Sequence, residues 1–198
     1  IDIPSDGEYS KSGFSQYITD RLTGFEIRPD LPGRGGGTTR SRDRRRFADA
    51  YREIEGSAQN AAATPGRGQL RIASTVCTGA IAYRGEEAVR NDIANLRAAL
   101  EGKDFAEAFI PAVAPGTIEL QRANCYYRTE EEYLFAIADA MKTEYRMIVD
   151  AGFVLQIDDP RMVTEYDSMD PPPTPEAYRK FAAVRVEALN HALAGLPE

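Results

Sequence analysis

Three short motifs hold the residues best suited to chemistry: Asp6-Gly7-Glu8, Ala114-Pro115-Gly116-Thr117 and Asp158-Asp159-Pro160. Each follows a short apolar run that reads as a strand. Carboxylates brought together from separate strand ends can bind a substrate ammonium group, hold a hard cation through oxygen, or act as general acid and base. Any one of these acids can also be a turn residue or a helix cap, because a short carboxylate bonds readily to nearby backbone. Two acidic motifs after two strands favour a shared cleft, with Asp6, Thr117 and Asp159 among its candidate lining residues. Cys77, which follows the hydroxyls Ser74 and Thr75, is a further candidate for the cleft wall, although small buried thiols commonly serve packing.

Other chemistries find little support. The single histidine, His191, falls near the end of an expected helix, where it compensates the helix dipole or lies on the surface. One histidine and two distant cysteines do not make a zinc site, which needs three or four ligands. The run Gly33-Arg34-Gly35-Gly36-Gly37 lacks the Lys-Ser/Thr ending of a phosphate loop. No metal-ligand set is therefore expected within these residues.

The elements that must position the three motifs are clearest in the second half. Thr129-Glu130-Glu131-Glu132 has capping-box spacing, and Leu134, Ile137, Ala138, Met141, Tyr145 and Ile148 recur at helical intervals up to Ala151-Gly152. Phe153 to Ile157 then reads as a strand buried on both faces of a parallel sheet. Thr174 followed by Pro175 announces another helix, which Gly195-Leu196-Pro197 closes. Met169-Asp170-Pro171-Pro172-Pro173 between them is a stiff connector. Upstream, Glu86 to Lys103 reads as a helix leading into the apolar run Ala106 to Ala114. The alternation of strand and helix argues for α/β architecture with parallel βαβ units, in which functional residues gather at the carboxyl ends of strands. Residues 9–85 read as an excursion after the first strand, with short helices at Gly13 to Leu22 and Arg44 to Glu55 and a hairpin within Leu70 to Tyr83.

Composition sets the outer limits. The 198 residues are 42% hydrophobic and 28% charged with a net charge of -7, too apolar for disorder and too poor in cysteine, with two, for a disulfide scaffold. The arginines at 34, 40, 42 and 44 to 46 have no interleaved aromatics on which bases could stack, so no nucleic-acid partner is expected. Nothing resembles a membrane span or a signal peptide, which predicts a cytoplasmic protein with reduced thiols and no membrane partner.

The motifs Asp2-Ile3-Pro4-Ser5-Asp6-Gly7-Glu8, Pro115-Gly116-Thr117 and Gly152 to Pro160, with the helix Glu132 to Ala151 before the last, resemble the catalytic barrel of cobalamin-independent methionine synthase. They look most like its shorter single-barrel relatives, which include the epoxyalkane:coenzyme M transferases. The strand end Gln156-Ile157-Asp158-Asp159-Pro160 is the most specific part of the likeness. The resemblance implies a TIM (β/α)8 barrel of the uroporphyrinogen decarboxylase and methionine synthase type. Residues 1–198 would cover only part of it, from the second strand to the helix after the fourth. An open part-barrel exposes sheet edges that closure removes, so pairing with another segment, or a homo-oligomer, is expected of it.

The implied activity is transfer of a methyl or other alkyl group to a thiol activated by Zn, as in the 5-methyltetrahydropteroyltriglutamate–homocysteine methyltransferases. The partners are then a small-molecule thiol and an alkyl donor. In that family the positions matching Glu8 and Asp158 hold the amino group of homocysteine. The family's zinc ligands begin with a His-x-Cys on the next strand, and none of them lies in this sequence. The family's pterin-stacking tryptophan is also missing, since the sequence contains no tryptophan. Rival readings are a metal-free decarboxylase or a Mg-dependent lyase using the acids directly, and a non-catalytic binding module.

Overall fold

The computed structural model describes residues 2–28, 30–31, 42–53 and 75–197. Its centre is a parallel arrangement of β3 (Phe109–Val113) and β5 (Val154–Asp158), registered Phe109 to Val154 through Val113 to Asp158. On the other edge of β3 runs the segment that ends in the first acidic motif. A parallel bridge joins Ser5 to Phe109, and Phe109 N donates to the Pro4 carbonyl at 3.0 Å.

The helices follow from their caps and apolar faces. α3 (Glu86–Leu100) buries Val89, Ile93 and Leu96. α5 (Glu130–Asp150) is capped by Thr129, whose hydroxyl accepts from Glu132 N at 3.0 Å, while the Glu132 carboxylate reaches back to Arg128 N. It buries Leu134, Ile137, Met141 and Ile148 in the core beneath Ile110 and Ala112 of β3. α7 (Pro175–Leu193), capped by Thr174, packs on α5 and buries Ala188 and Ala192.

A smaller sheet lies beside this core. β1 (Phe25–Ile27) pairs antiparallel with β2 (Thr75–Cys77), which pairs parallel with β4 (Ala123–Asn124). The hairpin expected within Leu70 to Tyr83 is thus corrected: Thr75–Cys77 finds its partners at residues 25–27 and 123–124, and residues 70–74 lie outside the described set. α1 (Ile18–Arg21) is shorter than the helix expected from Gly13 to Leu22. α2 (Arg42–Arg46) starts the expected basic helix, helical structure resumes over 48–53, and the Gly33 to Gly37 run lies outside the described residues.

Two helices follow strands where the sequence suggested only turns. α4 (Pro115–Gln121) opens on Pro115, which suits a first helical position because its missing N–H has no partner there anyway. α6 (Arg161–Ser168) follows β5 and buries no residue. The expectation for β5 also changes. Leu155 and Ile157 pack on the core, but Val154 and Gln156 on the other face are exposed, so the strand is buried on one face only. The described residues form part of an α/β arrangement and no closed barrel. Among them no helix is long and apolar enough to cross a membrane.

Candidate functional site

Parallel pairing puts all three motifs at one end of the sheet. Asp6 and Glu8 follow the segment on one side of β3, Thr117 lies in the first turn after β3, and Asp158 and Asp159 end β5 on the other side. With β3 between them, the two acidic strand ends stand roughly 10 Å apart, twice the strand spacing. Gln156 Nε2 donates to Asp158 Oδ1 at 2.8 Å and orients that carboxylate. Phe14, Ile157, Asp158, Asp159 and Pro160 line a cleft at this edge, where apolar and acidic side chains meet.

The first motif is held in an unusual backbone. Gly7 has φ 62° and Glu8 has φ 53°, a left-handed conformation that a β-carbon disfavours. Ser5 Oγ accepts from Gly7 N at 3.2 Å and Asp6 Oδ1 from Glu8 N at 3.1 Å, which close the turn. Lys11 completes it from within. Its Nζ donates to the Pro111 carbonyl at 2.5 Å and lies 3.7 Å from Asp6 Oδ2 and 3.8 Å from Glu8 Oε1. The lysine side chain is 1% exposed and the Asp6 side chain 6%. Asp6, Glu8 and Asp158 outnumber this one ammonium, so the strand ends keep an excess of negative charge.

Behind the turn lies a buried polar network. Glu144 on α5 accepts from Tyr17 Oη at 3.0 Å and Tyr83 Oη at 2.6 Å, and pairs with Arg21 Nη1 at 3.1 Å. Arg21 also bonds Asp92 on α3, and Asp92 accepts from Ser10 Oγ at 2.5 Å. Tyr17 Oη in turn accepts from Val113 N at 3.2 Å, and Tyr145 Oη donates to the Val113 carbonyl at 2.7 Å. The network ties the segment carrying Glu8 and Lys11 to the last residue of β3. Burial, with the nearby Glu144 charge, pushes the Tyr17 and Tyr83 hydroxyls well above the usual phenol range, so both act as neutral donors.

At the β5 end, Thr117 Oγ1 donates to Asp159 Oδ1 at 2.6 Å. Burial raises the Asp159 carboxyl above the usual range, and bonds from Thr117 and the Met162 backbone only partly offset it. Thr117, a candidate for the cleft wall, is fully buried and meets the cleft through its bond to Asp159. α4 is fixed by the buried pair of Arg185 Nη2 and Glu119 Oε2 at 2.8 Å, with the arginine stem packed against Gly116.

Cys77, the other candidate for the cleft wall, is a core residue. It is fully buried in β2, its Sγ donates to the Gly79 carbonyl at 3.3 Å, and burial pushes its thiol up to about 11. A thiol so placed is neither cleft wall nor nucleophile. His191 lies at the outer packing of α7 on α5, where Nε2 meets Asp139 Oδ1 at 2.6 Å. Sequence reasoning missed Lys11, Phe14 and Tyr17. The Pro111 carbonyl that Lys11 meets and the Glu144 and Val113 partners of Tyr17 are distant in the chain, and no local pattern marked these residues.

Among the described residues no group of three or more His, Cys, Asp or Glu is placed to hold a metal ion. With Cys77 buried in the core and His191 paired with Asp139 on the exposed surface of α5, the described residues do not fit a zinc centre.

No family model matches the chain. A methionine synthase of Thermococcus kodakarensis is 24% identical over 197 residues, which cover 99% of this chain and 44% of the relative. A solved B12-independent methionine synthase from Shewanella sp. W3-18-1, in complex with selenomethionine, superposes with a TM-score of 0.62 at 18% identity. It covers 99% of this chain and 44% of its own length. The chain shares that fold. It spans less than half the length of the relatives it matches, and the match to a methionine synthase fold agrees with strand-end motifs at one end of a parallel sheet.

Proposed function

We propose that these strand ends bind the acceptor of a methionine-synthase-like transferase, which moves a methyl or other alkyl group to the thiol of homocysteine or a similar amino-thiol. The observation that carries this reading is the placement of Glu8 and Asp158 at the same end of the sheet on either side of β3. Carboxylates so placed can accept charge-assisted bonds from an ammonium group entering between the strand ends. Phe14 and Ile157 beside Asp158 supply the apolar wall for the methylene chain of the acceptor. The sulfur–carbon bond forms as the donor–carbon bond breaks, after the thiol has lost its proton. Binding and orienting the acceptor falls to the residues described. The donor need not be a folate, since no tryptophan is present to stack a pterin.

The test uses the whole protein, with homocysteine compared against 4-mercaptobutyrate, which lacks the amino group. Glu8→Gln and Asp158→Asn should each weaken homocysteine binding at least tenfold and leave 4-mercaptobutyrate binding nearly unchanged. Equal losses for both thiols, or no loss for either, would overturn the reading.

A further inference from the structure

Lys11 Nζ sits in a three-oxygen hole made by the Pro111 carbonyl at 2.5 Å, Asp6 Oδ2 at 3.7 Å and Glu8 Oε1 at 3.8 Å. Asp6 Oδ2 is buried without a hydrogen-bond partner, and its side chain is 6% exposed, so it faces the ammonium and little else. Carboxylates and a backbone carbonyl around one point are also what a hard divalent cation selects. Here the chain's own ammonium occupies that point, and the Tyr17 ring closes it from behind, its centroid 5.1 Å from Nζ.

We propose that Lys11 is a built-in counter-cation that sets the specificity of this acidic site, filling the Asp6–Glu8–Pro111 hole so that no divalent metal is bound there. The carboxylates left facing the cleft then receive a ligand ammonium. That last step rests on the function proposed above; the exclusion of a divalent ion does not. Lys11 is a positioning residue in this account, since it acts through Asp6 and Glu8. It also separates the transferase reading from that of a Mg-dependent lyase, which would need these same oxygens as ligands.

The charges around the hole make the sign of the effect clear. Asp6 and Glu8 lie within the turn, Asp158 stands across β3, and Asp92 approaches from α3 through Ser10. Arg21, which also lies against the Tyr17 ring, is committed to Asp92 and Glu144. Removing the Lys11 charge while keeping its volume leaves buried oxygens with no cation, and a small divalent ion can replace it.

Mn2+ titration followed by electron paramagnetic resonance tests this directly in the protein, in Lys11→Met and in Lys11→Arg. The unaltered protein and Lys11→Arg should bind Mn2+ no more tightly than a surface carboxylate does. Lys11→Met should bind at least tenfold more tightly, and adding Asp6→Asn should abolish the gain. Tight Mn2+ binding by the unaltered protein that Asp6→Asn abolishes would overturn the proposal even if Lys11→Met does not fold. A gain in Lys11→Met that survives Asp6→Asn, or no gain in a folded Lys11→Met, would do so as well. If homocysteine does not bind but the Mn2+ pattern holds, the acceptor assignment fails and the role of Lys11 stands.

Discussion

Thr117 Oγ1 donates to Asp159 Oδ1 at 2.6 Å, so the first turn of α4 holds the carboxylate that ends the β5 motif. Burial raises this carboxyl, and the Thr117 bond is the largest influence pulling it back. An acid with a raised native value binds its proton more readily folded than unfolded. Its contribution to stability is therefore full below the ordinary carboxylate range and is lost as pH rises through the native value. Thr117→Val removes the opposing bond. The variant should lose about 1–3 kcal/mol near neutral pH, the cost of an unsatisfied buried acceptor, and clearly less at roughly pH 3. Urea denaturation at the two pH values checks this; an equal loss at both would show that the hydroxyl acts by packing alone.

Glu144 gathers Tyr17, Tyr83 and Arg21 around one buried carboxylate. Glu144→Gln keeps the shape but leaves Arg21 with only Asp92 to balance it. Breaking a buried pair by neutralising one partner costs about 3 kcal/mol or more. Tyr83→Phe removes one hydrogen bond and should cost only about 1–3 kcal/mol. Denaturation midpoints should therefore fall further for the first variant, and the reverse order would mean that Arg21 is satisfied without Glu144.

How much of this could be read beforehand depended on where each interaction reaches. Thr129 and Thr174 mark α5 and α7 because a cap and the apolar stripe behind it lie within one short window. Asp6, Glu8, Asp158 and Asp159 stood out because strand ends in parallel sheets share one edge. α4 was hidden because Pro115-Gly116 reads as a stop, and its true support, Arg185 against Gly116 and Glu119, comes from far along the chain. Lys11 was invisible for the same reason: its closest partner is the carbonyl of Pro111, 100 residues away. The exposure of Val154 and Gln156 could not be foreseen either, since a run of apolar residues does not say whether both faces of its strand are covered.

The two cysteines should react very differently. Burial holds the Cys77 thiol up at about 11 and shields it, whereas Cys125 is exposed. Since the thiolate is the nucleophile, a disulfide reagent at about pH 8 should modify one thiol per folded chain quickly. The second should react only in denaturant. Rapid modification of both in the folded protein would show that β2 opens readily.

Glu8 pays for its position with backbone strain. A non-glycine residue at φ 53° is disfavoured, and Asn tolerates this region better than Glu because its short amide bonds locally. The ion pair with Lys11 offsets little of that cost, because at 3.8 Å it is long and the Glu8 side chain is one-third exposed. Glu8→Asn should therefore leave stability unchanged or raise it by up to about 1 kcal/mol, while homocysteine binding falls as it does in Glu8→Gln. Thermal denaturation and thiol-binding titrations on the same sample separate the two effects. If Glu8→Asn loses both stability and binding, the carboxylate holds the turn together, and its left-handed backbone is not strain retained for a ligand.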